Sequence, residues 1–341
     1  MILRSLWQLR LFRITYESSY MFKNLEVLCK SHETSRFFFG SKYAIISTGK
    51  KRTEKWGFYS MKKEVMVDMT SGRIAPQILR FAMPVLLGLV FQRIYNFADS
   101  YIVGHFLGDN ALAAVSVAGV GMYLVFSLII GLTTGVTVVM SQYYGAKEED
   151  KVVKTFFSSI FIALGMTILV TVIGLLMTRP LLIVLQTPAE VLDAAVLYLR
   201  IICAGSVGTM LYNWISAVLR SLGNSVVPLI FLGISSLLNI VFDILFVAVI
   251  PMGVGGAAFA TVLAQIISGV ACLLYAWKIL PMLRIRRDKL KLDTYIGKQM
   301  LVYGLPAALQ MSIISISDMT LQAVVNTYGT TLVVAYGVCI K

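Results

Sequence analysis

Long, nearly uncharged apolar blocks recur from about residue 76 onward, and they constrain the fold of this chain more than any other feature. Each block is about 20 to 30 residues long, enough for a helix to cross a ~30 Å hydrocarbon core. Open sheets are excluded, because their edge amides would lack hydrogen-bond partners in lipid. Only 14% of the 341 residues are charged, whereas soluble domains carry about a quarter. The sequence therefore predicts an all-α membrane protein.

Short loops divide these blocks into membrane spans. We predict spans over about 76–103, 111–142, 154–177, 190–220, 225–250, 255–280 and 299–327, and the beginning of an eighth span near residue 331. The predicted organisation is an N-terminal extension (1–60), an N-terminal six-helix lobe (70–280), a basic inter-lobe loop (281–298) and the start of a C-terminal lobe (299–341). We assign the extension no function, and a translation start at Met61, Met66 or Met69 stays open as an alternative.

A weak internal repeat relates the first and seventh spans. ILRFAMPVLLG, with Pro84, resembles MLVYGLPAALQ, with Pro306, and matching glycines follow 24 and 23 residues later, at Gly108 and Gly329. The second copy comes six spans after the first, so both enter the membrane in the same direction, as in the parallel repeats of transporters. The repeat predicts a second lobe of six helices, of which this chain holds the first one to two.

The net charge of +13 is distributed as in a membrane protein rather than a nucleic-acid-binding one. Basic residues are concentrated in 1–60 and in alternate loops, whereas the loops between them carry only Arg179 as a firm cation. The positive-inside rule then predicts a cytoplasmic N-terminus. No basic stripe interleaved with aromatic residues follows a soluble face, so we expect membrane lipid, and not nucleic acid, as a partner.

Motifs of enzymes and of metal or cofactor sites do not occur in the sequence. It has no GxxxxGK[ST] loop and no HExxH motif, and its four cysteines form no CxxC pair. GVGGAAFA, from Gly253, follows an apolar helix and not a strand, which excludes a dinucleotide fingerprint. The sequence therefore predicts neither an enzyme nor a cofactor.

Several ionisable residues lie within the apolar spans, namely Arg93, Asp99, Arg200, Asp243 and Asp318. A charged side chain at the membrane centre costs at least ~2.5–3.5 kcal/mol, so such residues are functional candidates. Arg93 lies about 120° around the helix from Asp99, so we do not expect these two to pair. For Arg200 we expect an ion pair with Glu190 or Asp193.

Three spans carry polar side chains that are candidates for one common pocket: Gln92, Tyr95 and Asp99 in the first, Asn239 and Asp243 in the fifth, and Thr261 in the sixth. The first three stand at i, i+3 and i+7, and the pair in the fifth span stands at i and i+4, so each set occupies one helix face. A pocket of carboxylate, amide and hydroxyl oxygens suits Na⁺ or a proton. The alternative is a hydrogen-bonded packing pair without a role in transport.

Three separated segments resemble the multidrug and toxic compound extrusion (MATE) family. QILRFAMPVLLGLVFQRIYNFADSYIVGHFLG, followed by ALAAVSV, is similar to its first helix. VLRSLGNSVVP, at 218–228, resembles the connection between its fourth and fifth helices, and LLNIVFDILFV resembles its fifth helix. The resemblance covers about 70–341.

The resemblance implies two six-helix bundles around a cavity, in the inner or plasma membrane, that export amphipathic, mostly cationic drugs or toxic compounds in exchange for H⁺ or Na⁺. It implies four residues for cation coupling, which would also be the ligands if the ion is Na⁺: Asp99, Asn239, Asp243 and Thr261. It implies that the substrate cavity is lined by Gln92, Tyr95, Tyr198 and Asn213, and that Pro84 is a hinge. It also implies that the second lobe is required for transport.

The sequence departs from the family pattern in two ways. Arg93 places a cation beside a cavity that should attract cations, and Ile314 stands nearest to the position where another branch has a glutamate. Two alternatives stay open: a lipid-linked oligosaccharide flippase of the same superfamily, which only Arg93 favours, or a truncated membrane protein that does not transport.

Overall fold

The computed structural model describes residues 74–280 and 291–340, so the predicted extension over 1–60 and most of the predicted loop over 281–298 lie outside the described residues. The helices are α1 (Ile74–Leu107), α2 (Asp109–Gly145), α3 (Glu149–Val184), α4 (Ala189–Ala204), α5 (Ser206–Ser221), α6 (Val226–Asp243), α7 (Gly253–Ile279), α8 (Thr294–Asn326) and α9 (Thr330–Ile340). A π-helical segment, Ile244–Val249, continues α6. No strand occurs among the described residues.

Six helical segments in the described ranges are long and apolar enough to cross a membrane, and the bent pair α4 and α5 can supply a seventh span. The predicted all-α membrane fold is confirmed. The main difference lies in helix length, since α3 covers Glu149–Val184 where the sequence predicted 154–177. Glu149 and Asp150 occupy its first turn, where acidic side chains stabilise the positive end of a helix. The helix therefore extends beyond its apolar part.

The predicted fourth span, 190–220, is not one straight helix. The chain bends by 48° between α4 and α5, at Gly205. A Cβ atom at Gly205 would lie 2.9 Å from Val262 Cβ in α7, which is closer than ordinary van der Waals contact. The glycine therefore lets the bend pack directly on α7.

Helix α2 is the centre of the bundle, because α3, α4, α5, α8 and α9 all pack against it. Helix α1 packs mainly on α6, and α7 packs on both α5 and α6. The turns at Gly108 and Leu185 and the end of α8 lie at one end of the bundle, termed here the Gly108 end. The opposite end, with Gly145 and the start of α8, is termed the Gly145 end.

Two buried apolar clusters form the core. One includes Val115, Leu199 and Met319, and the other includes Phe157, Trp214 and Met300. Helix α8 contributes to both clusters although it begins the second copy of the repeat. Outside the core, many large apolar side chains are exposed, as on α1 and α3. Such a surface suits contact with lipid and not with water.

The backbones of α8 and α2 are in direct contact. A Cβ atom at Gly131 would overlap Ala308, and one at Gly135 would overlap the carbonyl oxygen of Met300 and lie 2.8 Å from the amide nitrogen of Gly304. Small residues spaced four apart allow this close approach of membrane helices. Gly131 of α2 contacts Ala308, whereas Gly135, further along α2, contacts Gly304, which comes earlier in α8. Helix α8 is therefore antiparallel to α2 and runs in the same direction as α1.

Replacing Ser159 by alanine is expected to destabilise the second core cluster. The Trp214 indole N–H donates a hydrogen bond of 2.8 Å to Ser159 Oγ, and the Trp214 ring lies 5.4 Å from that of Phe156. Removing the acceptor leaves a buried N–H without a partner, which costs about 1 kcal/mol in a membrane protein. Thermal unfolding in detergent measures the change, with Ser141→Ala as a control on an exposed hydroxyl of α2. Equal melting temperatures for both variants would contradict the role of this bond.

Candidate functional site

Two aspartates from different helices meet inside the bundle. Asp99, on α1, is 7% exposed, and Asp243, at the end of α6, is 0% exposed. Their carboxyl groups lie within hydrogen-bonding reach of each other. Two neighbouring carboxylates in an apolar interior repel strongly. The pair is therefore stable only if a proton is shared or a cation lies close to it.

Amide and hydroxyl groups surround the acid pair. Asn239 stands one turn before Asp243 on α6, and its Nδ2 donates a hydrogen bond of 3.2 Å to Thr261 Oγ1 on α7. The hydroxyl of Tyr198, on α4, is within hydrogen-bonding reach of Thr261 and close to both aspartates. The structure thus brings together all four residues predicted for cation coupling, and Tyr198 beside them.

The oxygen atoms of this site have the character of cation ligands. Asn239 Oδ1 and both carboxylate oxygens of Asp243 are buried, and apart from the Asp99 carboxyl no described residue offers them a hydrogen bond. Buried polar atoms normally have partners, so such exceptions call for an explanation. Hard cations such as Na⁺ prefer carboxylate, amide and hydroxyl oxygens. The donor set therefore fits Na⁺, and the carboxyl pair fits a proton equally well.

Local backbone geometry places Asp243. The α-helical part of α6 ends at this residue, and the π-helical segment Ile244–Val249 follows directly. Its extra residue per turn changes which face of the helix points inward after Asp243. π-Helical insertions are frequent at functional sites. This irregularity lies next to the acid pair.

The residues predicted to line the cavity fall at two depths. Tyr95 lies near Asp99, and Gln92 is within hydrogen-bonding reach of Tyr95 on the same helix. Asn213 lies on α5, where its Nδ2 donates a hydrogen bond of 2.8 Å to the carbonyl oxygen of Thr209. Thr209 in turn donates to Gln265 Oε1 on α7. Because Gln265 is one turn beyond Thr261, these groups form a second polar layer next to the acid-pair layer.

Two tyrosines near the site did not emerge from the sequence. Tyr123, on α2, is 52% exposed and close enough to Tyr95 to interact electrostatically, as is Tyr212 on α5. Gly119, one turn before Tyr123, faces open space. The sequence signal of Tyr123 was weak, because tyrosines in apolar spans are common and it shares no stripe with an ionisable residue. Tyr212 stands at i, i+4 and i+8 with Ser216 and Arg220 on α5, a polar stripe that could have drawn attention to it.

Other candidates lie apart from the acid pair. Arg93 is exposed on α1, and Asp318 lies on α8, which does not carry the acid-pair site. Pro84 lies inside α1, where it removes one helical hydrogen bond, 15 residues before Asp99.

The ion pair expected for Arg200 was wrong. Asp193 instead pairs with Arg179, at 3.1 Å. Asp193 lies two helical turns from Arg200, roughly 10 Å along the axis, whereas Arg179 comes from the adjacent end of α3. Arg200 itself is exposed.

Comparison with known proteins agrees with the fold and with the helices that carry the site. Residues 84–245 match the MatE family, a range that contains Asp99, Asn239 and Asp243. The chain is 35% identical over 273 residues to the probable multidrug resistance protein YpnP of Bacillus subtilis, covering 79% of this chain and 60% of that protein. It is 29% identical over 281 residues to the probable multidrug resistance protein YoeA of the same species, covering 79% and 61%.

A solved structure supports the same relationship. The chain superposes on the inward-facing conformation of a multidrug resistance MATE family transporter of the MOP superfamily with a TM-score of 0.68 and 26% identity, covering 77% of this chain and 60% of that one. The chain thus spans about three-fifths of the length of the proteins it matches. From this agreement in sequence, in fold and in the order of the helices, the protein is a multi-pass membrane protein that belongs to the MATE family of transporters.

Proposed function

We propose that the protein is a secondary active antiporter that takes up H⁺ or Na⁺ and exports amphipathic, mostly cationic compounds. The observation that carries the proposal is the meeting of Asp99 and Asp243 inside the bundle. A buried carboxyl pair needs a positive charge, so binding and release of one small cation change the electrostatics of α1 and α6 together.

The ion gradient can supply the energy without a nucleotide. Exchange of one H⁺ or Na⁺ for one monovalent cationic compound moves no net charge, so a tenfold ion gradient supports an about tenfold concentration ratio of the compound. A second inward charge in each cycle adds ~2.3 kcal/mol per 100 mV, which corresponds to an about 50-fold ratio. We further propose that the protein lies in the plasma membrane with its N-terminus in the cytoplasm, as the loop charges favour. The Gly108 end is then the outer end. This activity is proposed for the protein together with the second lobe that the repeat predicts.

A gradient assay tests the proposal. Cells that express the complete reading frame are loaded with a cationic fluorescent amphiphile, and inward proton and sodium gradients are imposed separately. We expect efflux that follows one of these gradients and stops when the corresponding ionophore removes it. Efflux that persists without either gradient, or no efflux from cells with verified membrane expression, would rule out coupled antiport.

Tyr123 is expected to contribute to binding of the exported compound. Its ring is exposed and close to Tyr95, which in turn lies near Asp99, and an aromatic face attracts an organic cation by about 0.5–2 kcal/mol. Tyr123→Ala should therefore weaken binding of a cationic amphiphile about 2- to 30-fold, whereas Tyr123→Phe should retain it. Fluorescence titration of the purified protein measures the dissociation constant.

The control for this measurement is Tyr328→Ala, on an exposed tyrosine just beyond α8. It should leave the dissociation constant unchanged. If Tyr123→Phe weakens binding as much as Tyr123→Ala, the hydroxyl group and not the ring is responsible, and the cation–π interpretation fails.

A further inference from the structure

An arginine near the Gly145 end of the bundle is half-buried without a carboxylate partner. Arg220 stands in the last turn of α5, and it takes part in no ion pair within the described residues. It is close enough to Tyr212 to interact electrostatically. The hydroxyl of Tyr212 donates a hydrogen bond of 2.9 Å to the carbonyl oxygen of Pro228, in the first turn of α6. The guanidinium charge of Arg220 therefore lies near the start of α6.

The start of α6 holds hydrogen-bond donors that the described part of the protein does not use. Asn224 Oδ1 accepts a hydrogen bond of 3.0 Å from the backbone N–H of Val227, which fixes the Asn224 carboxamide at the start of the helix. Asn224 is 1% exposed, and its Nδ2 is buried without an acceptor. Ser225, the N-cap residue, is 5% exposed, and its hydroxyl forms no cap hydrogen bond. Buried donors without acceptors are rare and call for an explanation.

The charges around the start of α6 are positive. Helices α1, α5 and α7 pack against α6, and in their halves nearest the Gly145 end they carry Arg80, Arg220 and Lys278. The carboxylates of these four helices are Asp99 and Asp243, and both lie in the other half of their helix. The N-terminus of α6 adds a partial positive charge and backbone N–H groups without helical partners. This part of the bundle therefore favours an anion.

Neighbouring side chains indicate that these donors lie at the level of lipid headgroups. Tyr275 and Trp277, near the end of α7, are exposed, and such aromatic residues mark the boundary between membrane and water. The Tyr275 ring lies 5.7 Å from that of Phe231 in α6. Val226 and Ile230, one turn apart on α6, are 49% and 53% exposed. Apolar surface therefore begins directly beside the unused donors, which suits a ligand with an anionic head and apolar chains.

We propose that the phosphate group of an anionic phospholipid binds at the start of α6, in a site formed by Arg220, Asn224 and Ser225 and termed here the phosphate site. Arginine suits this ligand because two of its N–H groups can bind two phosphate oxygens. Asn224 Nδ2 and the Ser225 hydroxyl donate to the same group, as backbone N–H groups do where helix N-termini bind phosphate. The acyl chains lie along Val226 and Ile230, a surface that a free phosphate ion would not use. The site does not depend on the ion or compound that the protein carries.

Native mass spectrometry of the purified full chain tests the phosphate site, because it counts bound lipids and gives the dissociation constant of the first one. The probes are dioleoylphosphatidylglycerol, which is anionic, and dioleoylphosphatidylcholine, which has the same chains and no net charge. Glycerol 3-phosphate supplies the phosphate without chains. We expect the anionic lipid to bind about ten-fold or more tightly than the zwitterionic one. Equal affinities for the two lipids, or displacement of the anionic lipid by an equal concentration of glycerol 3-phosphate, would overturn the proposal.

Two variants locate the binding. Asn224→Asp removes the Nδ2 donor and adds a negative charge, but its carboxylate can still accept the hydrogen bond from Val227. Arg220→Gln removes the guanidinium charge. Each variant is expected to weaken binding of phosphatidylglycerol about ten-fold or more, to the affinity for phosphatidylcholine.

Arg200→Gln is the matched control, because this arginine is exposed on α4 and lies outside the phosphate site. It should keep the preference for the anionic lipid. The melting temperature without added lipid shows whether each variant is folded, and Arg220→Gln decides alone if Asn224→Asp does not fold. A preference for phosphatidylglycerol that survives Arg220→Gln would overturn the proposal, and so would an equal loss in Arg200→Gln.

Discussion

Asp243→Asn is expected to reduce gradient-driven efflux to the level of cells without the protein. An asparagine amide can neither give up a proton nor neutralise a bound cation, and Asp243 is the more deeply buried member of the acid pair. Asp99 would then no longer face the like charge of Asp243, so cation binding would no longer relieve a like-charge contact. Initial rates of dye efflux at matched membrane expression measure the effect.

The acid pair also predicts non-additivity. Because the two carboxyl groups act on one cation, Asp99→Asn should cause the same loss, and the double variant should be no worse than either single one. Asp109→Asn is the matched control, since this aspartate is exposed at the start of α2. Full efflux by Asp243→Asn would show that the pair is a packing contact without a role in coupling.

Gly135→Leu is expected to prevent stable folding. Even a single methyl group added at position 135 would overlap the carbonyl oxygen of Met300. The same methyl carbon would lie only 2.8 Å from the amide nitrogen and 2.9 Å from the Cα atom of Gly304. These atoms belong to the backbone of α8, so they can move aside only if the whole helix shifts. Overpacking of this kind costs about 1–3 kcal/mol or more. We expect little monodisperse protein in size-exclusion chromatography.

A graded pair of alanine variants separates this clash from a general effect of glycine replacement. Gly135→Ala should lower the melting temperature by several degrees, since 1 kcal/mol corresponds to about 2–4 °C in a domain of this size. Gly165→Ala, where the added methyl group meets nothing within 4 Å, should be neutral or stabilising, because alanine favours a helix over glycine. Equal melting temperatures for the two variants would show that α8 does not pack this closely on α2.

The sequence predicted the membrane class and most helices, because the hydropathy of a segment shows whether it is suited to lipid or to water. It also predicted that residues of the first, fifth and sixth spans share one pocket, and the structure brings Asp99, Asn239, Asp243 and Thr261 together. That prediction was possible because ionisable residues are rare in apolar helices and stand out against them. Their roles in coupling stay predictions.

Other features depend on contacts that hydropathy does not reveal. The bend at Gly205 results from close packing on Val262, 57 residues further along the chain. Arg179 reaches Asp193 through the fold, so the expected pairing of Arg200 from within its own helix was wrong. The position of Tyr123 beside the site could not be predicted either, because an isolated tyrosine carries no directional signal.

The close contact between α2 and α8 limits which substitutions the two copies of the repeat can accept during evolution. At Gly205 the neighbour is the side chain of Val262, so a larger residue can be accommodated by a smaller partner. At Gly135 the neighbours are main-chain atoms of Met300 and Gly304, and no mutation shortens a main chain. Descendants of this gene can therefore exchange side chains over much of the bundle, but position 135 has no compensating partner.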